Sequence, residues 1–137
     1  MAQHYTYSEG IVYTPTLLNA ITKDTTSVAQ LCAGAKKIGF ILTEGGTVNN
    51  RSGVFTVTVS LDGGTTYHAY NMLISNATNT NAQNLTRVAS VTRNSAGSDI
   101  IWMTPETLTF THLKVAIDVT DGADPTGNYT VKAVIVY

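Results

Sequence analysis

Between Val54 and Leu73 the chain alternates with the regularity of a β-strand. Phe55, Val57, Val59 and Leu61 are interleaved with Thr56, Thr58 and Ser60. A two-residue period of this kind puts apolar side chains on one face of a sheet and hydroxyls on the other. The run stops at Asp62-Gly63-Gly64-Thr65, where glycine allows the positive φ that a tight hairpin turn needs. The second arm, Thr66 to Leu73, carries Tyr67, Tyr70, Met72 and Leu73. A hairpin turning at Asp62 to Thr65 is therefore expected, with Phe55, Val57 and Val59 facing a core.

The residues around that turn, Ser60, Asp62, Gly64, Thr66 and Tyr67, fit the pattern S-x-D-x-G-x-T-aromatic. They resemble an Asp box, a hairpin whose Ser, Asp and Thr side chains bond to the turn backbone while an aromatic ring packs beneath. Tyr67 stands where the usual residue is tryptophan. One copy occurs here, where sialidase-type propellers carry several. The motif implies architecture and no chemistry.

The remaining chain reads as short strands separated by turn signals. Ile11 to Ile21 is apolar, but Pro15 restricts it to an edge or a bend. Thr26 to Cys32 and Lys37 to Leu42 give two more strands. Gly45 to Gly53 reads as a polar loop. Ser75 to Asn84 is uniformly polar and reads as a long loop. Leu85 to Arg93, Ile100 to Met103 (ended by Pro105), Leu113 to Val119 and Tyr129 to Tyr137 complete the set, the last two joined by a turn over Asp121 to Gly127. No helical period exceeds a turn. The pattern predicts one all-β domain over residues 11–137, an antiparallel two-sheet sandwich of jelly-roll or Greek-key type with roughly eight or nine strands. The first ten residues, with Tyr5 and Tyr7 but no alternation, read as a separate segment that could serve as a tether.

Composition excludes several classes. The charged fraction is 12 % and the formal net charge −1, so the chain has no electrostatic footprint for nucleic acid. Lys36-Lys37 is the only basic pair, read as a solubility feature at a strand start. Cys32 is the one cysteine; it forms no intramolecular disulfide and reads as a small buried residue. Met1-Ala2-Gln3-His4-Tyr5 lacks a basic region followed by an apolar one, so no signal peptide is expected. No apolar run approaches the length of a membrane span.

Catalytic constellations are equally hard to assemble. His4, His68 and His112 lie on separate elements, and none has a partner at metal-ligand spacing. Asp99 and Glu106 flank a turn without converging groups, so general acid–base work is not expected. Asp118, Asp121 and Asp124 crowd one hairpin end, where calcium is a minor alternative to aspartates bonding their own turn backbone. The sequons at Asn50, Asn76, Asn84 and Asn128 are what an Asn- and Thr-rich chain produces by chance. Tyr5, Tyr7, Tyr13, Tyr67, Tyr70 and Trp102 could form a sugar-stacking platform, although packing in a core or at a subunit interface is the simpler role for such rings. Neither an enzyme nor a cofactor is expected.

Taken along its length from about Thr16, the chain resembles small structural proteins of tailed-phage virions. The likeness rests on Ala35-Lys36-Lys37-Ile38-Gly39-Phe40, on the hairpin from Phe55 to Tyr67, on Leu113 to Val119 and on Tyr129 to Ile135. Within that group it is most similar to capsid decoration, or cement, proteins. This resemblance implies a structural role: a homo-oligomer, often a trimer, seated on the major capsid protein at the outside of the shell, where capsomers meet. Tyr5 and Tyr7 would be contacts to the capsid or to a neighbouring subunit. A receptor- or glycan-binding module of a tail or head fibre, and a baseplate or tail subunit, are the alternatives.

Overall fold

The computed structural model describes residues 5–7, 10–75, 85–103 and 110–137, with side chains from 11 onward apart from 47–49. Of the expected long polar loop, Ser75 ends a strand, and residues 76–84, like Pro105 and Glu106, lie outside the described residues. The described residues contain no helix and twelve strands. Short strands Tyr5–Tyr7 (β1), Gly10–Tyr13 (β2), Thr16–Ile21 (β3), Thr25–Thr26 (β4) and Gln30–Leu31 (β5) lead to Lys37–Ser60 (β6). After it come His68–Tyr70 (β7), Met72–Ser75 (β8), Leu85–Val88 (β9), Val91–Arg93 (β10), Gly97–Met103 (β11) and His112–Val136 (β12).

Two of these strands, β6 and β12, form the spine. They pair antiparallel from His112↔Ser60 to Val136↔Lys37, and the other strands attach to them directly or through one another. The sheet runs β1-β2-β12-β6-β11-β8-β9, with β3, β4 and β5 also on β12, and β7 and β10 also on β6. All pairings are antiparallel.

The spine is folded on itself. Phe40 and Phe55 belong to the same strand and would lie roughly 50 Å apart if it were straight, at about 3.3 Å per residue. Their ring centroids are instead 5.7 Å apart, edge to face. The first half of β6 with the second half of β12 therefore packs against the other two halves, and the core lies between them. Ile38, Phe40, Leu42, Val131, Ala133 and Ile135 meet Phe55, Val57, Leu113, Val115 and Ile117 there, all at most 3 % exposed. The expected count of eight or nine strands becomes twelve among the described residues. The two layers are halves of one curled, hydrogen-bonded sheet, not the separate sheets of a jelly roll.

The bend sits at the residues that read in sequence as two loops, Gly45 to Gly53 and Asp121 to Gly127. Both segments stay within strands; the register shifts between Asp121 and Thr126 and again before Asn128. Along β6 the buried set changes from even positions (38, 40, 42, 44) to odd ones (53, 55, 57, 59). A one-residue slip would turn every later side chain outward, so a bulge is required to restore the inward face. Gly46 (φ 80°) and Asn50 (φ 57°) supply left-handed backbone at that point. Gly53 is needed for a different reason. A Cβ there would lie 2.6 Å from the Tyr129 ring, which is fully buried.

The N-terminal segment also differs from expectation. Tyr5–Tyr7 pairs with Gly10–Tyr13 in register Tyr5↔Val12, so a hairpin crosses the boundary expected at residue 10. Backbone pairing with β2 supplies the order that side-chain alternation does not signal. The strand expected over Ile11 to Ile21 is divided at Thr14-Pro15, and the Pro15 carbonyl accepts from Ala133 N–H at 2.9 Å.

Gly53→Ala is expected to destabilise the protein by about 1–3 kcal/mol, because the added methyl overpacks a ring with nowhere to move. Gly34→Ala, at a left-handed turn with open space around it, carries only backbone strain. Urea unfolding checks this; an unchanged stability of Gly53→Ala would show that the Tyr129 contact is not the constraint.

Candidate functional site

Three places concentrate side chains with something to do. The first is the turn after β6. Ser60 Oγ donates to Asp62 Oδ1 (2.7 Å) and accepts from Gly64 N–H (2.9 Å), while Asp62 Oδ1 accepts from the N–H of Thr65 (3.1 Å) and of Thr66 (2.8 Å). Tyr67 is half-buried beneath, with the Lys114 ammonium 4.3 Å from its ring centroid. Hydrogen bonds from Thr66 and Ser60 hold the Asp62 carboxyl well below the usual carboxylate range. Every donor aimed at Asp62 belongs to the turn itself, so the cluster braces a hairpin.

The second is the bend of the spine. Arg51 bonds bidentately to Asp121, with Nε at 2.7 Å, and donates to the Gly127 carbonyl. Asn50 donates to the Ala123 carbonyl at 2.7 Å. Asp121 is thus engaged by Arg51, while Asp118 and Asp124 are exposed. No group of three or more potential metal ligands occurs among the described residues. Inside the bend, Glu44 is 1 % exposed, and neither carboxyl oxygen has a hydrogen-bond partner among the described residues. The facing Tyr129 donates to the Arg93 carbonyl at 3.3 Å. Burial, then the neighbouring Glu44 carboxyl, hold its phenol above the ordinary tyrosine range.

The third is an outward face. Register sets Val134, Gly39, Trp102 and Leu73 side by side across β12, β6, β11 and β8, with Lys132, Ile41 and Ile100 in the next row. Ile100 is 57 %, Leu85 48 % and Ile41 38 % exposed. These residues line a groove of about 650 Å³ with Val136, Met103 and Lys37 at its edge. The other half of the same spine behaves differently. Its outward rows are Thr26-Ala116-Thr56, Lys114-Thr58-Ala69 and Asp118-Val54-Thr92. An antiparallel sheet with one wet face should alternate apolar-in and polar-out; one half does, and the half bearing the groove does not. The signal in the sequence is the unbroken Ile100-Ile101-Trp102-Met103, apolar on both sides of β11.

The other residues singled out in the sequence are dispersed. Tyr13 and Tyr70 sit in register with the inward residues Ile135 and Val57, and Tyr70 packs edge-to-face on Phe110. Trp102 faces outward and Tyr67 lies under the turn, so these four rings make no common platform. The side chains of Tyr5 and Tyr7, and His4, lie outside the described residues. His68 is exposed and His112 contacts Thr111 Oγ1 at 2.9 Å. Asp99 pairs with Arg93 at 3.0 Å. Cys32 is buried, which pushes its thiol up to about 11. No helix is long and apolar enough to cross a membrane among the described residues.

No protein-family model matches the chain, and no curated protein matches it in sequence. Among solved structures it is similar to the SPBc2 prophage-derived protein YomS, with a TM-score of 0.55, 13 % identity, and 92 % of this chain and 93 % of that chain covered. At that identity the likeness is one of fold, and it spans nearly the whole of both chains.

Two outcomes test these assignments. The folded-state depression of Asp62 contributes stability that is complete above the ordinary aspartate value of about 3.9 and is lost as pH falls below it. Melting temperatures from pH 7 to pH 2 should therefore fall more for the native chain than for Asp62→Asn; parallel curves would remove the role of the carboxylate. Glu44→Met should be neutral or stabilising by up to about 3 kcal/mol in urea unfolding, because it removes a buried carboxyl that faces the Tyr129 phenol without a well-formed hydrogen bond. A clear loss of stability would mean that the carboxyl is satisfied.

Proposed function

We propose that this protein is a structural component of a phage or prophage particle, and specifically a decoration protein that binds the outside of the capsid shell. The observation that carries this reading is the apolar outward face on one half of the sheet, where Ile41, Ile100 and Leu85 lie exposed beside Trp102 and Leu73 along one groove. Contiguous apolar surface of this kind marks interaction sites. The fold shared with a prophage-derived protein supports the phage setting, and the polar clusters at the turn and the bend are engaged in holding the backbone. The protein works through surfaces, with the major capsid protein and further copies of itself as partners, and with no enzymatic step or cofactor. The N-terminal hairpin, a sheet edge carrying Tyr5 and Tyr7, provides a contact to the shell.

Cosedimentation with shells lacking the protein tests the reading. The full chain should pellet with shells, and deletion of Ala2 to Gly10 should weaken binding about tenfold or more while leaving the melting transition in place. Unchanged binding by the deletion removes the N-terminal contact. Failure of the full chain to bind any shell, with binding to host polysaccharide or to tails instead, replaces decoration by receptor binding or a tail role.

A further inference from the structure

We propose that the outward groove of β12, β6, β11 and β8 receives a protein segment in which apolar residues lie between two carboxylates. The inference rests on the reading of that face as the shell contact, and it names the chemistry of the partner. Charge carries it. The outward register positions of this half hold three charged side chains, Lys37, Arg87 and Lys132, all cationic and all exposed. No aspartate or glutamate shares those rows among the described residues. Glu44 and Asp99 belong to the same strands, but Glu44 is buried and Asp99 is in register with the inward Leu42. The whole chain has a net charge of −1, so this face departs from the sign of the molecule. Arg51 and Arg93 are taken up by Asp121 and Asp99, whereas Lys37 and Lys132 have no ion-pair partner among the described residues.

Placement agrees. Lys132 and Lys37 stand on β12 and β6, and Arg87 stands on β9 opposite Leu73. Three or four strands at about 4.8 Å each set these two ends roughly 14–19 Å apart. Trp102, Leu73, Ile41 and Ile100 lie between them. An extended segment with about four apolar residues between two glutamates spaces its carboxylates by about 16 Å, at about 3.3 Å per residue. It meets a cation at each end while its apolar residues cover the groove. Rim charges of this kind choose the partner and speed its approach more than they add affinity. A second copy of the face would bring the same three cations and no carboxylate to meet them. A nucleic acid would find one accessible ring, Trp102, in an otherwise aliphatic lining.

Trp102 is the only tryptophan, so its fluorescence reports the groove directly. The full chain is titrated with a peptide of valines between two glutamates, and with the same peptide carrying lysines in place of the glutamates. At about 50 mM salt the glutamate peptide should bind about tenfold or more tighter, and the gap should narrow at about 500 mM, where charges are screened within a few ångströms. In the triple variant Lys37→Glu, Arg87→Glu and Lys132→Glu the preference should invert, and the inversion itself shows that the variant is folded. Should the triple variant lose the native melting transition, Lys132→Glu alone replaces it and should weaken the glutamate peptide about threefold. Equal binding of the two peptides, or a preference that charge reversal leaves unchanged, overturns the inference. So does an emission shift with anionic lipid vesicles or a single-stranded oligonucleotide where the glutamate peptide gives none. Shells lacking the protein separate the inference from the functional reading. If they bind the native chain and the charge-reversed chain equally, the inference falls and decoration stands. If the glutamate peptide binds the groove and no shell does, the inference stands and decoration falls.

Discussion

The pairing of β6 with β12 is the constraint on which the rest depends. Each is long enough to be a hairpin arm twice over, and neither could bury its apolar face if the ribbon stayed straight. Folding the ribbon solves the problem, since each half then supplies the surface that covers the other. The contact of Gly53 with Tyr129 sits at the crease, where the backbone of one strand must approach a ring from the other. Arg51 ties the same crease together from outside through Asp121 and the Gly127 carbonyl. A packed interior and a braced exterior thus meet at a single point of the chain.

Local features of this architecture are legible in the sequence, and non-local ones are not. The turn from Ser60 to Tyr67 can be read because the bonds made by the Ser60 hydroxyl and the Asp62 carboxylate close within eight residues. Alternation likewise identifies Phe55, Val57, Leu113 and Val115 as core, and all are at most 1 % exposed. The segments Gly45 to Gly53 and Asp121 to Gly127 read as loops because glycine, asparagine and aspartate commonly end strands. Those residues mark a need for unusual backbone angles, and here the need is met by a bulge inside a continuing ladder. What looks like two loops is one crease, since the two segments face each other across the pairing. Nothing in either segment alone announces the other.

The outward face is hidden for a similar reason. A strand apolar on one side is the commoner pattern, and Ile100 to Met103 is too short for its departure to stand out. Its meaning emerges only when β12, β6 and β8 are placed beside it and their outward residues prove apolar as well. The turn, the crease and this face divide the labour of the molecule: two hold the backbone, and one is left for contact.

The order of the strands along the chain sets how this molecule can be made. β12 follows every other strand in sequence, yet β2, β3, β4, β5 and β6 all pair with it. A ribosome therefore delivers the neighbours of the central strand before the strand itself. Until His112 to Val136 emerges, β6 has one long side without its partner and the N-terminal strands have no sheet to join. Pairing at such sequence separation is slow, because a large loop must close before any contact compensates for it. The protein is in this sense assembled from its far end inward, and the nascent chain carries unpaired strand edges through most of its synthesis.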